Sequence, residues 1–377
     1  MGEGSGLILG LEIDGEGAHP AAWRRAAHPP AELLQPRRLL RLAETAERAG
    51  FAFVTLDDDI VPPGSQPDVL GRIGSVERGA FISAALSTLS VVPVVSTTYS
   101  EPFHVSSQLA SIDYLTAGRS GWVATATRSP GAARAWGRPA VTDAAQLRRE
   151  AADAVEVVRA LWDSWEDDAV IRDVASSRYL DRDRLHYVDF AGESYSVKGP
   201  AIVPRPPQGQ LVVFAEAGLL PDRLVDVSLA GAADLSGLRA AAAASRTART
   251  FAEVEVALDT PGQTAAERVA DLGAHGTWTD RGRLRYIGAP AGLVALLGEL
   301  AGVVDGVRLH PLVLDEDLGV LSRLVIPPLV VDRVVSRPLP GTMFRAVLGL
   351  PRPASRYHTS PSAASAAPAA SSVVVSR

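Results

Sequence analysis

The sequence predicts a closed α/β barrel of parallel strands, and three observations carry that prediction. A β-branched run, Leu89 to Val95, ends in the polar elbow Ser96-Thr97-Thr98-Tyr99-Ser100-Glu101-Pro102; Phe103, Val105, Leu109, Ile112 and Leu115 follow near helical spacing, and Gly118 leads to a second strand, Arg119 to Thr125. Strand, turn, helix, strand is one βαβ unit, whose two strands run parallel. Strand-like and helix-like segments also keep alternating through most of the chain, with no internal repeat of about 20–50 residues, which favours one barrel over two separate sheets. Finally, 377 residues suffice for one large barrel, two domains being the alternative on length alone. Reactive groups in such folds gather where strands end. Thr97, Thr98 and His104 after the first strand, and Trp122 to Thr127 at the second, are therefore candidate site residues, with a plainly packed unit carrying polar turn residues as the alternative.

The remaining elements follow in order. Gly6 to Ile13 is a strand-length apolar run leading into a Gly-rich loop, Asp14 to Arg24, in which His19 is either an acid/base or substrate contact or a simple turn histidine. Pro36 to Gly50 reads as an amphipathic helix, with Pro in its first turn and Gly as its cap. Phe51 to Leu56 is a buried strand ending in Asp57-Asp58-Asp59; adjacent strand residues point to opposite faces, so a single functional carboxylate or a solvated loop competes with a metal site. Val69 to Ser87 has mixed helical spacing, and Asp143 to Trp162 is a long helix. Asp163 to Pro207 is too long and too aromatic for a linker and reads as a lid or binding insertion. Gln210 to Phe214 resumes as a buried strand, Phe251 to Leu258 alternates like an edge strand, Pro290 to Leu300 is a helix, Val304 to Leu309 a strand and Asp315 to Val331 a helix. The Ala/Ser/Pro-rich tail, 354–377, has the composition of a disordered segment.

Composition narrows the function classes. The formal net charge is -6, from 37 basic and 43 acidic residues, and no basic block stands out, which argues against nucleic acid and anionic membranes as partners. Cysteine is absent, so disulfides, thiolate zinc sites and a cysteine nucleophile are excluded. Met1 to Gly6 lacks the basic start of a signal peptide and no apolar run reaches ~18 residues, so the expected location is cytoplasmic.

Several blocks resemble the bacterial luciferase-like flavin monooxygenases, in the branch typified by nitrilotriacetate and dibenzothiophene sulfone monooxygenases. They are AERAGFAFVTLDD (Ala46 to Asp58), TTYSEPFHVSSQLASIDYLTAGRSGW (Thr97 to Trp122), VEVVRALWDSWEDDAVIRD (Val155 to Asp173), VDFAGESYSVKGPAIVPRPPQGQ (Val188 to Gln210) and GTMFRAVLGLPRP (Gly341 to Pro353). The resemblance implies a TIM (βα)8 barrel as a single domain over 1–353, with the insertion 163–207 after the fourth strand and helix, assembled as a homodimer or homotetramer. It implies reduced FMN at the barrel's C-terminal face, supplied by a separate flavin reductase, and O2-dependent oxygenation of a small organic substrate. No metal is implied. It places flavin contacts at Asp58, Thr97, Trp122, Thr125 and Thr127, with His19 and His104 as candidate catalytic residues. The family's phosphate-binding Ala-Gly-Ser-Ser falls on Ala217-Gly218-Leu219-Leu220, so Gly218 and Arg148 are left as candidate phosphate contacts. Loss of that hydroxyl removes a hydrogen bond worth roughly 1.5–3 kcal/mol. A deazaflavin cofactor and a non-catalytic binding subunit are the alternatives that this departure keeps open.

Overall fold

The computed structural model describes residues 6–29, 32, 34–58 and 71–357. The chain opens with β1 (Ile8–Glu12), α1 (Pro36–Ala49), β2 (Phe53–Leu56), α2 (Ser75–Ser83), β3 (Ser90–Ser96), α3 (Pro102–Leu115) and β4 (Gly121–Thr125). α1 begins on Pro36, which needs no N–H there, and stops at Gly50, whose φ of 103° is left-handed. α3 is capped by Glu101, whose carboxylate accepts the amides of Phe103 and His104. α4 (Pro130–Ala135) and α5 (Ala144–Asp163) follow, the latter capped by Asp143.

Four short strands, β5 (Val170–Asp173), β6 (Arg178–Leu180), β7 (Phe190–Ala191) and β8 (Ser196–Val197), form two antiparallel hairpins inside the insertion. The barrel resumes with β9 (Val212–Glu216), β10 (Val227–Ala230), α6 (Leu235–Ala244), β11 (Arg249–Leu258), α7 (Ala265–Gly273), β12 (Leu284–Gly288), α8 (Pro290–Leu300), β13 (Gly306–Pro311) and α9 (Leu314–Val320). α9 continues through a π turn, Leu321–Val325, into a last helical stretch, Ile326–Val331, that contains the Pro327-Pro328 pair.

Eight parallel strands close on themselves in the order β1, β2, β3, β4, β9, β10, β11, β13, with β13 pairing back to β1 from Ile8↔Gly306 to Leu11↔Leu309. This is the TIM barrel expected from the sequence. β11 differs from its expected edge role: it is buried along nearly its whole length and pairs with three strands. β13 lies along one side of it, while β10 covers the lower half and β12 the upper half of the other. Its alternation arises because Glu253 and Glu255 are buried polar residues among apolar ones, not because one face meets solvent.

The barrel interior has two storeys. The lower is apolar: the rings of Phe53, Phe214, Phe251 and Phe344 lie with centroids 5.4–5.9 Å apart. Gly10 makes room for this cluster, since a Cβ there would stand 2.1 Å from the Phe53 ring. Phe344 comes from the C-terminal segment and is fully buried, its amide donating to Gly118 O at 2.8 Å. The upper storey, toward the strand C-termini, is charged. Outside the strands, a large apolar layer joins the barrel to α1, α8 and the C-terminal helix, and a second holds Trp122 and Trp162 between β4, α3 and α5.

The insertion does not cover the barrel mouth, as a lid would. α5 runs antiparallel to the strands, so the chain leaves it at the barrel's foot. From there it packs on the outside of α3 and α5, with Trp165 donating to Ala201 O at 2.7 Å and Arg149 pairing with Glu193 at 3.2 Å. The C-terminal segment straps across it: Arg352 pairs with Asp167 at 2.6 Å, and Tyr357 stacks on His186 at 3.7 Å. Residues 354–357 of the expected tail are thus seated, and the rest lies outside the described residues.

Candidate active site at the barrel mouth

A cavity of about 490 Å³ opens at the C-terminal ends of the strands. β1 and its following loop contribute Glu12, Asp14, Gly17 and Ala18; β2 leads to Asp57; Val94, Val123 and Thr125 come from β3 and β4, and Arg308, His310 and Pro311 from β13. Arg72, Arg281 and Arg283 reach in from loops, so four arginines face three carboxylates.

The floor of the cavity is one connected ion network. Arg308 grips Glu253 with two hydrogen bonds of 2.7 Å, and His310 Nε2 lies 3.0 Å from the same carboxylate. Burial pushes the Glu253 carboxyl up, but Arg308 and His310 outweigh it and hold it well below the usual range. His310 is driven down to about 3, first by burial and then by Arg283, with Glu253 opposing. A neutral His310 beside an ionised Glu253 must carry its proton on Nε2, which leaves Nδ1 as an acceptor. Arg308 Nη1 is a buried donor with no hydrogen-bond partner among the described residues. Arg281 is exposed at the rim.

The residues singled out from sequence are distributed unevenly. Thr125 lines the cavity. Thr97 sits beside it but donates its hydroxyl to Thr125 O at 2.7 Å, and Thr127 donates to Ser96 Oγ at 2.9 Å. Asp58 is displaced by its neighbour: Asp57 faces the cavity, while Asp58 Oδ2 accepts the amide of Ser75 at 2.7 Å. Trp122 points the other way, into the layer against α3 and α5, because strand alternation sends Val123 and Thr125 inward. His19 is buried near Trp278, its Nδ1 accepting the amide of Ala21 at 3.0 Å; burial and then Arg285 lower its pKa, and it does not line the cavity. His104 and Arg148 are exposed on the first turns of α3 and α5 and line no part of it either. Gly218, with φ of 79°, lies in a turn that leads only to a three-residue 3-10 turn, Asp222–Leu224, and not to the helix whose N-terminus was expected to meet a phosphate.

The model of the luciferase-like monooxygenase family matches residues 18–275, most of the strands and loops that build this mouth. The chain belongs to the luciferase-like monooxygenase family. It is 36% identical over 210 residues to N-acetyl-S-(2-succino)cysteine monooxygenase of Bacillus subtilis, covering 55% of this chain and 47% of that one. To nitrilotriacetate monooxygenase component A of Aminobacter aminovorans it is 30% identical, over 59% of this chain and 52% of that one. The chain thus spans about half the length of these two relatives. A match at 30% identity to one of the two polypeptides of pristinamycin IIA synthase of Streptomyces pristinaespiralis covers 85% of this chain and 91% of that one. In fold, this luciferase-like barrel is similar to a long-chain alkane monooxygenase, with a TM-score of 0.78 and 19% identity over 92% of this chain and 95% of that one.

Within this luciferase-like monooxygenase, Glu12, Asp57, Glu253, Arg283, Arg308 and His310 were missed by sequence reasoning. A signal was present. Glu253 and Glu255 on β11, and Arg308 and His310 on β13, are charged residues at period two within buried strands, and such residues must face either water or each other.

Proposed function

We propose that this luciferase-like monooxygenase binds reduced FMN at the barrel mouth and, with O2, oxygenates a small organic substrate there. The observation that carries the reading is the mouth cavity itself: its volume is within the range of small-molecule sites, and its arginines outnumber its carboxylates. The residues fit the cofactor. Arg281 and Arg283 are positioned to meet a phosphate in place of the hydroxyl turn at Leu219-Leu220, and the unpartnered Arg308 Nη1 and His310 Nδ1 offer a donor and an acceptor to a heterocyclic ring. Bound there, the reduced flavin supplies the electrons and activates O2. The protein's own part is orientation, charge compensation and, through the apolar storey sealed by Phe344, exclusion of water from below.

A separate flavin reductase as partner, a homodimeric or homotetrameric assembly, a single domain over 1–353 and a cytoplasmic location complete the proposal. No helix among the described residues is long and apolar enough to cross a membrane. Anaerobic titration with reduced FMN tests the cofactor: saturable binding is expected, and Arg281→Ala should weaken it about tenfold. Saturable binding of a deazaflavin but not of FMN would transfer the site to that cofactor. Binding of neither would end the oxygenase reading.

A further inference from the structure

Three carboxylates face the mouth cavity, and they differ in what holds them. Asp14 is engaged by two arginines, Arg72 at 2.7 Å and Arg78. Asp57 accepts the amide of Asp58 at 2.9 Å. Glu12 has no cation within hydrogen-bond distance among the described residues. Thr55 Oγ1 donates to its Oε2 at 2.7 Å and the Asp57 amide to its Oε1 at 3.1 Å. The Arg308 guanidinium stands 3.8 Å away because its Nε and Nη2 are both committed to Glu253.

We propose that Glu12 is the catalytic acid of this cavity, exchanging a proton with the reactants bound there. The proposal rests on the monooxygenase reading. The Thr55 hydroxyl is both donor and acceptor, so its bond to Glu12 survives either protonation state. The charged surroundings favour keeping a proton. Asp57 beyond β2 and Asp14 beyond β1 repel a second negative charge, Arg72 and Arg78 are turned to Asp14, and on the β11 and β13 side Glu253 absorbs Arg308 and His310. Burial pushes the Glu12 carboxyl up to about 7, Arg308 pulling against it and Asp57 and Asp14 adding to it. Such a group is partly protonated at neutral pH, where proton transfer is most effective. Among the described residues no group of three or more acids or histidines is arranged to hold a metal ion.

The reaction has a place for this proton. One oxygen atom of O2 goes to the substrate and the other to water, which consumes two electrons and two protons. A monoanionic reduced flavin brings both electrons and one proton. Glu12 supplies the other: its O–H breaks, a water O–H forms, and the carboxylate left behind is reprotonated from solvent.

Carbon-13 NMR of side-chain carboxyls in the free protein tests the acid directly. One carboxyl should titrate near 7 and be missing in Glu12→Gln. Calorimetry of reduced FMN binding at pH 7, in two buffers of different ionisation heat, should show a change in bound protons that the variant lacks. Turnover in Glu12→Gln should fall roughly 100-fold and lose the pH limb near 7. Should that variant not fold, Thr55→Val should move the same carboxyl titration upward. Titration of Glu12 in the ordinary carboxylate range, or an unchanged pH profile in the variant, would overturn the proposal even where flavin binds well. Failure of the wild-type protein to bind flavin removes the oxygenase reading instead and leaves the free-protein titration as a separate result.

Discussion

Asp58 and Ser75 are joined by a 2.7 Å hydrogen bond that ties the end of β2 to the first turn of α2, and Ser75 Oγ in turn donates to Val94 O on β3 at 2.7 Å. The carboxylate therefore satisfies a helix-terminal amide. Asp58→Ala should lower stability by about 1 kcal/mol, with Asp58→Asn retaining most of it, while FMN affinity changes less than threefold. Denaturant titration beside flavin titration checks this; a tenfold loss of affinity would return Asp58 to the cofactor site.

His310 and Glu12 oppose each other in their effect on stability between about pH 4.5 and 6.5. His310 falls to about 3 in the folded protein, so below its ordinary value of 6.5 the unfolded chain binds the extra proton and stability rises with pH. Glu12 rises from 4.5 to about 7, so across that window the folded state binds the extra proton and stability falls with pH. The two slopes, each about 1.4 kcal/mol per pH unit, cancel in the wild type. His310→Gln should expose a falling slope and Glu12→Gln a rising one in unfolding experiments across this window.

Arg268 is fully buried and bonded to Asp317 at 2.6 and 3.2 Å, and Asp317 also accepts the amides of Leu258 at 3.0 Å and Val313 at 2.8 Å. This pair ties α7 and α9 to the end of β11. Arg268→Met should cost about 3–5 kcal/mol, because it leaves a buried carboxylate without its cation. A change below 1 kcal/mol in denaturant titration would count against this.

Leu220 occupies the position of the family's phosphate-site serine but is buried, packed with Trp122, Leu211, Val213 and Leu224 outside the strands. Leu220→Ser should lower stability by about 2–5 kcal/mol and leave FMN affinity unchanged. A gain in affinity would place the phosphate at this turn after all.

Local patterns made the first half of the barrel legible. The strand Leu89 to Val95, the helix after Pro102 and the strand Arg119 to Thr125 appear as β3, α3 and β4, because each carries its own period and its own cap. The second half resisted for two physical reasons. β10 has four residues and follows a 3-10 turn where a helix is usual, too short to show a period. β11 carries glutamates inward, which in isolation looks like a solvent face. The site was legible only as a location. Strand-end residues were correctly sought, and Thr125 is there, but Asp57 against Asp58 and Val123 against Trp122 are differences of one residue that only the register of the closed sheet decides. The pairing of Glu253 with Arg308 and His310 joins residues on two strands and has no local signature.

The apolar floor also sets a timetable for synthesis. Phe53, Phe214 and Phe251 are translated well before Phe344, and β1 waits for β13 before its outer edge is paired. At about 5–20 residues per second the emerging chain carries these rings uncovered, beside an open strand edge, for on the order of tens of seconds. The protein therefore relies on whatever shields nascent chains until its last few dozen residues emerge, and a ribosome stalled shortly before Phe344 would release a barrel whose floor is missing and whose aromatic rings are free to bind one another between molecules.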